Sequence, residues 1–560
     1  MNELKEENKK LQKEIERLKK SVKKQRYGLV WMDVPEAFED DVENKLPILK
    51  EVSKLAIKSN DGKPTHILIE GDNYHALTCL NYTHKEKIDV IYIDPPYNTG
   101  TDGFRYKDKR ISKKYPDGTE VPVDHPFRHS YWLSFMRKRL ELAKDILKES
   151  GVMFISIDDS ELAQLKLLCD EIFGERNVEV MIWRKVGAGD AGAGRMKITY
   201  RFRVEHEYVI VCYSNKEVVR FKKTLGLPNF KNEYKNSDND PRGDYKSGNI
   251  SKNEESSKQD GKNYYTVISP SGKKFTRQWH FDKKKFEELN KDKRIYWGKK
   301  GDSVPGIKIF INELRPTTPI SILLEKGSAT SANKHLEEMF RKRVFDNPKP
   351  LELINYLLKI STNTDAVILD FFAGTGTTGH ATSILNKEDN GNRQFILCTS
   401  NEENICTKVC YPRIKKAING YLSYDKLGGN LKYYKTAFIG KNNILNATDE
   451  DKVELAHNAG ELLAIAENTL ELVKQNKYYQ LFEDGNKEKY TAVYFREELD
   501  KFDEFIEQIK KLKKKTAVYV FSWGDDENID DFDDLDQIKV KTIPLPILEI
   551  YKQIYNLSTE

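Results

Sequence analysis

The chain has 560 residues, 38% hydrophobic and 32% charged, with 93 Lys and Arg against 88 Asp and Glu for a net charge of +5. That length exceeds one compact core and predicts about two to four domains. No run approaches the ~18 apolar residues of a membrane-spanning helix. The Lys/Glu-rich start is no secretory signal, and six scattered Cys fit a reduced, cytoplasmic setting.

Residues 2–24 read as a heptad helix, with Leu4, Leu11 and Leu18 in one seam position and Asn8, Ile15 and Val22 in the other. Ile and Val at a with Leu at d favour a two-stranded parallel coil whose single Asn sets register, so a homodimer is expected. A helix packed on its own chain is the plainer alternative. A strand at 66–70 runs into Gly71-Asp72-Asn73, then come a short helix, a strand at 88–93 and the turn Asp94-Pro95-Pro96-Tyr97. Residues 100–130 are polar and rich in Gly, Pro and Asp, which predicts a long mobile loop able to close over a site. A helix over about 131–149 and a strand at Gly151–Ile157 follow. Strands that alternate with helices and carry unbroken apolar runs predict a parallel α/β sheet covered on both faces.

The alternation dissolves after about residue 184. Gly187–Gly194 is a glycine-rich loop and His206–Tyr213 a strand. From about 220 to 300 the chain is Lys- and Asn-rich, with Tyr234, Tyr245, Tyr264, Tyr265, Trp279, Tyr296 and Trp297 interspersed. This reads as an inserted domain whose basic and aromatic residues could grip DNA; a small core with a Lys-rich surface is the bland reading. The α/β pattern resumes near Pro348 with a helix at 350–360, a strand at 366–370, a helix from about 377 and a strand at 394–398. Residues 440–560 read as a smaller α/β module ending at Pro544 and Pro546. Cys406 and Cys410 share a helix face without a matching Cys or His pair, so no metal site is expected. His380 is expected to pack.

In parallel α/β sheets ligands bind beyond the carboxyl ends of strands, where both Asp94 and Asp370 fall. After Asp370, the residues Gly374, Gly376 and Gly379 follow G-x-G-x-x-G between a strand and a helix. A P-loop is excluded, because His380-Ala381 stands where Lys-Ser/Thr must meet phosphate and magnesium. A dinucleotide dehydrogenase and an S-adenosylmethionine site both survive, and for the latter Glu402 after the next strand is placed to bind the ribose hydroxyls. The other turn is more specific. Two prolines fix φ and remove two donors, leaving Asp94 and the Pro95 carbonyl as acceptors on a rigid frame. Two acceptors suit an –NH2 group, and Tyr97 offers a face for a base. Hydrogen bonds from both amine hydrogens favour a pyramidal, nucleophilic nitrogen, so methyl transfer becomes feasible by position and electrostatics alone.

On Asp94-Pro95-Pro96-Tyr97 followed later by Phe372, Gly374 and Gly376, the chain resembles the amino-methyltransferases of DNA in the permuted β class. The segments 27–31, 46–51, 65–100 and 345–350 are similar to the modification subunits of type III restriction–modification systems. The resemblance implies a Rossmann-like S-adenosylmethionine-dependent methyltransferase with permuted motif order. Its expected parts are a coiled-coil helix at 1–27, methyltransferase parts at 28–184 and 343–438, a target-recognition insert at 185–342 and a C-terminal α/β domain at 439–560. It further implies that Asp94, Pro95, Pro96 and Tyr97 are catalytic, that Asp72 meets the cofactor adenine, and that Asp370, Phe372, Gly374, Thr375 and Gly376 hold its methionine end. Glu402 would hold the ribose, and Lys349 would lie near the cofactor. Asp at 94 points, by family, to adenine N6 in double-stranded DNA, flipped out of its stack. A helicase–nuclease restriction subunit is the implied partner. The alternatives are a recognition subunit that mainly targets such a partner, an orphan methyltransferase, and an RNA methyltransferase.

Overall fold

The computed structural model describes residues 45–59, 61–99, 127–186, 202, 204–226, 234–442, 444–496, 501–523, 532 and 536–557. The heptad helix, residues 100–126 of the expected loop, Gly187–Gly194 and most of the acidic stretch before Asp536 lie outside them.

Strand β1 is Leu46–Glu51, β2 Thr65–Glu70, β3 Ile88–Ile93, β4 Leu147–Ile157, β5 Val178–Arg184, β6 His206–Tyr213, β7 Ile322–Leu323, β8 Val367–Asp370, β9 Gln394–Thr399 and β10 Asn430–Ile439. They form one ten-stranded sheet in the order β1-β10-β2-β9-β8-β3-β4-β6-β5-β7. From β10 to β4 every pairing is parallel, and β1 and β6 join antiparallel. The alternating period of a strand sends neighbouring residues to opposite faces. Ile91, Ile93, Met153, Ile155 and Leu369 thus join one buried core, and Val90, Tyr92, Val152, Phe154 and Ile368 another.

Helices α1 (Asn73–Thr83), α2 (Phe127–Ile146) and α3 (Leu162–Phe173) supply Leu77, Leu80, Trp132, Met136, Leu165 and Leu168 to the first core. After α4 (Ala329–Phe340), helices α5 (Leu351–Ser361) and α6 (Thr377–Asp389) supply Leu353, Ile354, Leu357, Ala381 and Leu385 to the second, and α7 (Tyr411–Asn419) packs beside α6. The fold is therefore the doubly wound α/β class expected from the unbroken apolar strands. The two strand ends singled out in the sequence are hydrogen-bonded neighbours, with Ile368 opposite Val90 and Leu369 opposite Ile91. The chain runs outward from β8 to β9 and from β3 to β4 in opposite directions, so this pair is the switch point of the sheet.

Residues Lys222–Pro319 form a separate unit, narrower than the expected 185–342. The reason is pairing: His206–Tyr213 lies between β4 and β5, and Ile322–Leu323 pairs with β5, so both flanks belong to the main sheet. Within the unit, Tyr264–Ile268 and Lys274–Gln278 form a hairpin, and Trp279, Phe275, Phe286 and Trp297 are buried around Val267 and Ile295. Trp279 Nε1 donates to the Tyr265 carbonyl at 2.8 Å and Trp297 Nε1 to Asn290 Oδ1 at 3.0 Å. Tyr234 and Tyr245 are also buried. Four of the aromatics expected to face DNA are thus core residues, because each indole or phenol ring fills a small core instead of the surface.

The C-terminal segment carries a five-stranded sheet from Glu471–Gln475 to Ile538–Ile543, antiparallel at the start and parallel at the end. It does not end at the two prolines: Pro544 immediately precedes a final helix, Leu545–Leu557, and Pro546 lies in its first turn. Nor is it a separate body. Leu455, Leu462, Leu463, Ile547 and Tyr551 share the core of α1, and Tyr551 Oη donates to the Pro47 carbonyl at 3.0 Å.

Candidate active site

Strand β3 stops at Ile93 because Pro95 and Pro96 cannot donate to a ladder. The turn is fastened from outside: Trp132 Nε1, on α2, donates to the Pro96 carbonyl at 2.7 Å. Next to it, Asn98 takes a left-handed φ of 55° and its amide donates to buried Glu161, which also meets His129 Nδ1 at 2.7 Å. Two donors converge on one oxygen of Asp94. Tyr97 Oη donates to Oδ1 at 2.9 Å, and Lys349 Nζ lies 2.9 Å from the same atom. Among the described residues neither Asp94 Oδ2 nor the Pro95 carbonyl accepts a hydrogen bond. The rigid turn therefore leaves two acceptors on adjacent residues open.

The charges around Asp94 alternate. Lys349 Nζ also lies 3.4 Å from Glu207 Oε2, and Lys185 Nζ lies 3.3 Å from Glu207 Oε1. Burial pushes the Asp94 carboxyl above its ordinary value, with Lys349 pulling against it and Glu207 adding to it. Burial acts on Glu207 in the same sense, but Lys349 and Lys185 outweigh it and hold Glu207 below the usual range. For Lys349 burial favours the neutral amine, and Asp94 and Glu207 more than reverse this. Lys349 was expected among the cofactor residues. Its ammonium lies on Asp94 of the Pro-Pro turn, because the segment before α5 delivers it there, with Nζ 4.8 Å from the centre of the Tyr97 ring.

The second turn lies at the end of β8. Asp370 is buried, its Oδ1 accepting from the Phe372 amide at 3.0 Å and its Oδ2 from Thr378 Oγ1 at 2.6 Å. Burial raises this carboxyl to about 7 against those two hydrogen bonds. Gly374 and Gly376 have φ of 49° and 78°, in the left-handed region. A Cβ on Gly374 would meet nothing nearer than 3.8 Å, which leaves open space where a ligand can approach the backbone. A Cβ on Gly379 would instead lie 2.9 Å from Ile414 and Leu397, so that glycine serves the packing of α6. Buried Arg413 donates from Nη1 to Thr375 Oγ1 at 3.0 Å and to Thr377 Oγ1 at 2.8 Å, bracing the turn from α7. His380 is buried against Arg413 and the His335 ring, as expected of a packing residue.

Asp72 caps α1, its Oδ1 accepting from the Tyr74 amide at 2.7 Å. Fully buried Arg139 reaches the same Oδ1 at 3.4 Å and donates to Asn73 Oδ1 at 2.6 Å, while Asn73 Nδ2 donates to the Phe371 carbonyl at 3.1 Å. That chain of contacts ties the β2 end to the β8 end. Glu402 is exposed in a short 3₁₀ turn after β9. The structure thus brings Asp94, Tyr97, Asp370, Phe372, Gly374, Thr375, Gly376, Asp72 and Glu402 to the carboxyl edge of adjacent strands. Sequence reasoning missed Glu207, Lys185, Arg139, Arg413 and Trp132. One signal was there: Glu207 is a lone carboxylate opening an otherwise apolar strand.

A doubly wound sheet with two carboxylate-bearing turns at its switch point defines a ligand-binding α/β protein. Residues 88–409 match the family model described as DNA methylase, and the chain belongs to that family. Among curated relatives, it is 33% identical over 354 residues to the StyLTI Mod subunit of a type III restriction-modification enzyme from Salmonella typhimurium, covering 60% of this chain and 53% of that one. To the type III EcoPI Mod subunit of Escherichia phage P1 it is 33% identical over 395 residues, covering 62% and 59%. To the type II methyltransferase M.KpnI of Klebsiella pneumoniae it is 31% identical over 389 residues, covering 65% and 86%. The matches thus span little more than half the length of the type III relatives.

Proposed function

We propose that the chain is an S-adenosylmethionine-dependent DNA methyltransferase acting on N6 of a flipped-out adenine. It would serve as the modification and DNA-recognition subunit of a type III-like system in the cytoplasm, with a helicase–nuclease restriction subunit as partner. The observation that carries the reading is the pair of open acceptors, Asp94 Oδ2 and the Pro95 carbonyl, on a turn where Asp94 Oδ1, the Tyr97 hydroxyl and the Pro96 carbonyl are engaged. Each accepts one N–H of the amine, which draws electron density toward the nitrogen lone pair and orients it. The Tyr97 ring gives the base a stacking face, and its hydroxyl keeps Asp94 in place. The open space over Gly374 fits the methionine end of the cofactor, with Asp370, Phe372, Thr375 and Gly376 around it, Asp72 toward its adenine and Glu402 toward its ribose. When bound, the cofactor supplies a methyl group on a sulfonium. The similarity to type III Mod subunits supports the biological setting, and the heptads of residues 2–24 support a homodimer.

The test is transfer of labelled methyl from S-adenosylmethionine to unmethylated DNA. The expected outcome is incorporation by the unaltered protein and a loss of about a hundred- to a thousandfold for Asp94→Ala, the scale of losing one transition-state hydrogen-bond partner. Equal incorporation by Asp94→Ala overturns the assignment.

A further inference from the structure

The two open acceptors account for recognition of an amine, but not for the buried charges behind them. Asp94, Lys349, Glu207 and Lys185 form an alternating chain drawn from four places: the β3 turn, the segment before α5, β6 and the end of β5. Glu207 and Lys349 are nearly enclosed, with side chains 15% and 10% exposed. Isolated charges in such a position are costly, whereas two of each sign in alternation leave none unbalanced. Tyr97 Oη closes the set, donating to Asp94 and lying 3.3 Å from Glu207 Oε2.

Resting on the methyl-transfer reading above, we infer that Lys349 and Glu207 are positioning residues for the amine acceptor. Lys349 occupies Asp94 Oδ1, which fixes the carboxylate as an anion and leaves Oδ2 for the amine. Glu207, anchored by Lys185, fixes Lys349. A protonated Asp94 loses an acceptor, so the device keeps the site competent at lower pH than burial alone would allow. Among the described residues, the groups facing Asp94 are Lys349, Glu207, the Tyr97 and Tyr92 phenols and Asp370, and of these only Lys349 brings a positive charge. Lys349 and Glu207 therefore act on Asp94 with opposite sign. Loss of the ammonium makes Asp94 easier to protonate, and loss of the second carboxylate makes it harder.

This opposition gives the experiment. Methyl transfer to unmethylated DNA is measured at saturating S-adenosylmethionine across about pH 5 to 9 for the unaltered protein, Lys349→Met, Lys349→Arg and Glu207→Gln, with cofactor affinity measured in parallel. Lys349→Met is expected to move the acid limb of kcat upward by about one pH unit and Glu207→Gln to move it downward. Both lower kcat at the optimum by about tenfold or more, and both leave cofactor affinity within about twofold. Lys349→Arg keeps the charge and holds the limb near its original place, which separates a loss of position from a loss of folding. Limbs that do not move, or that move the same way in Lys349→Met and Glu207→Gln, overturn the inference while leaving the function standing. No transfer by the unaltered protein at any pH overturns the functional reading and this inference with it.

Discussion

At the residue scale, Gly374 and Gly379 look alike in the sequence and differ in the structure. Gly374 has a left-handed φ and open space beyond its Cα, whereas a Cβ on Gly379 has two apolar side chains at 2.9 Å. Gly374→Ala should thus cost only about 1 kcal/mol of stability, from backbone strain. It should weaken cofactor binding at least about tenfold, as calorimetric titration would read. Gly379→Ala should do the reverse, lowering the melting temperature by overpacking, about 1–3 kcal/mol, with a smaller effect on affinity. The glycine spacing was legible in the sequence, but the division of labour was not, because it depends on what α7 brings across. The same holds for Arg413 and Arg139: in the sequence they are two more cations among 93, and only packing shows them buried against Thr375 and Thr377 and against Asp72 and Asn73. The backbone of the Asp94 turn was legible, since two prolines restrict it whatever surrounds them, but the Trp132 and Lys349 contacts that hold it were not.

At the scale of elements, strands with unbroken apolar runs were readable because burial on both faces leaves no room for polar alternation. Domain edges were less so. His206–Tyr213 looks like the first strand of an insert, yet it completes the main sheet between β4 and β5, a pairing no local pattern encodes. Inside the insert, aromatic side chains interleaved with lysines suggested a binding surface, and burial of Trp279 and Trp297 shows a core. Trp279→Ala should destabilise that unit by about 3–5 kcal/mol. Limited proteolysis should then cut within 222–319 while cofactor affinity persists, since the proposed cofactor residues lie outside it. The helix Asp449–Asn458 gives a pH prediction. Asp451 accepts from the Lys441 and Thr448 amides, the Thr448 hydroxyl and Asn442; these bonds outweigh burial and lower its carboxyl to about 2. A depressed carboxyl stabilises the fold fully above its unfolded value, near pH 4, and the contribution fades as the pH falls toward 2. Asp451→Ala should cost about 1–3 kcal/mol at neutral pH and remove that part of the acid transition, as thermal melts at several pH values would record.

At the scale of the whole molecule, the site joins Asp94 and Asp370, 276 positions apart (370 − 94), because β3 and β8 pair in parallel, each ending in a carboxylate turn. The sequence pattern could name both turns but not their adjacency, which rests on the strand order. It also missed how closely the C-terminal segment is built in: with Tyr551 on Pro47 and Ile547 in the core of α1, that segment helps hold the sheet carrying the site. In the proposed function these paired turns hold an adenine amine for methyl transfer. Its most direct test is mass spectrometry of nucleosides from unmethylated DNA incubated with the protein and S-adenosylmethionine. The account predicts N6-methyladenine as the new nucleoside, absent with Asp94→Ala. N4-methylcytosine in its place, or N6-methyladenine formed equally by Asp94→Ala, would contradict it.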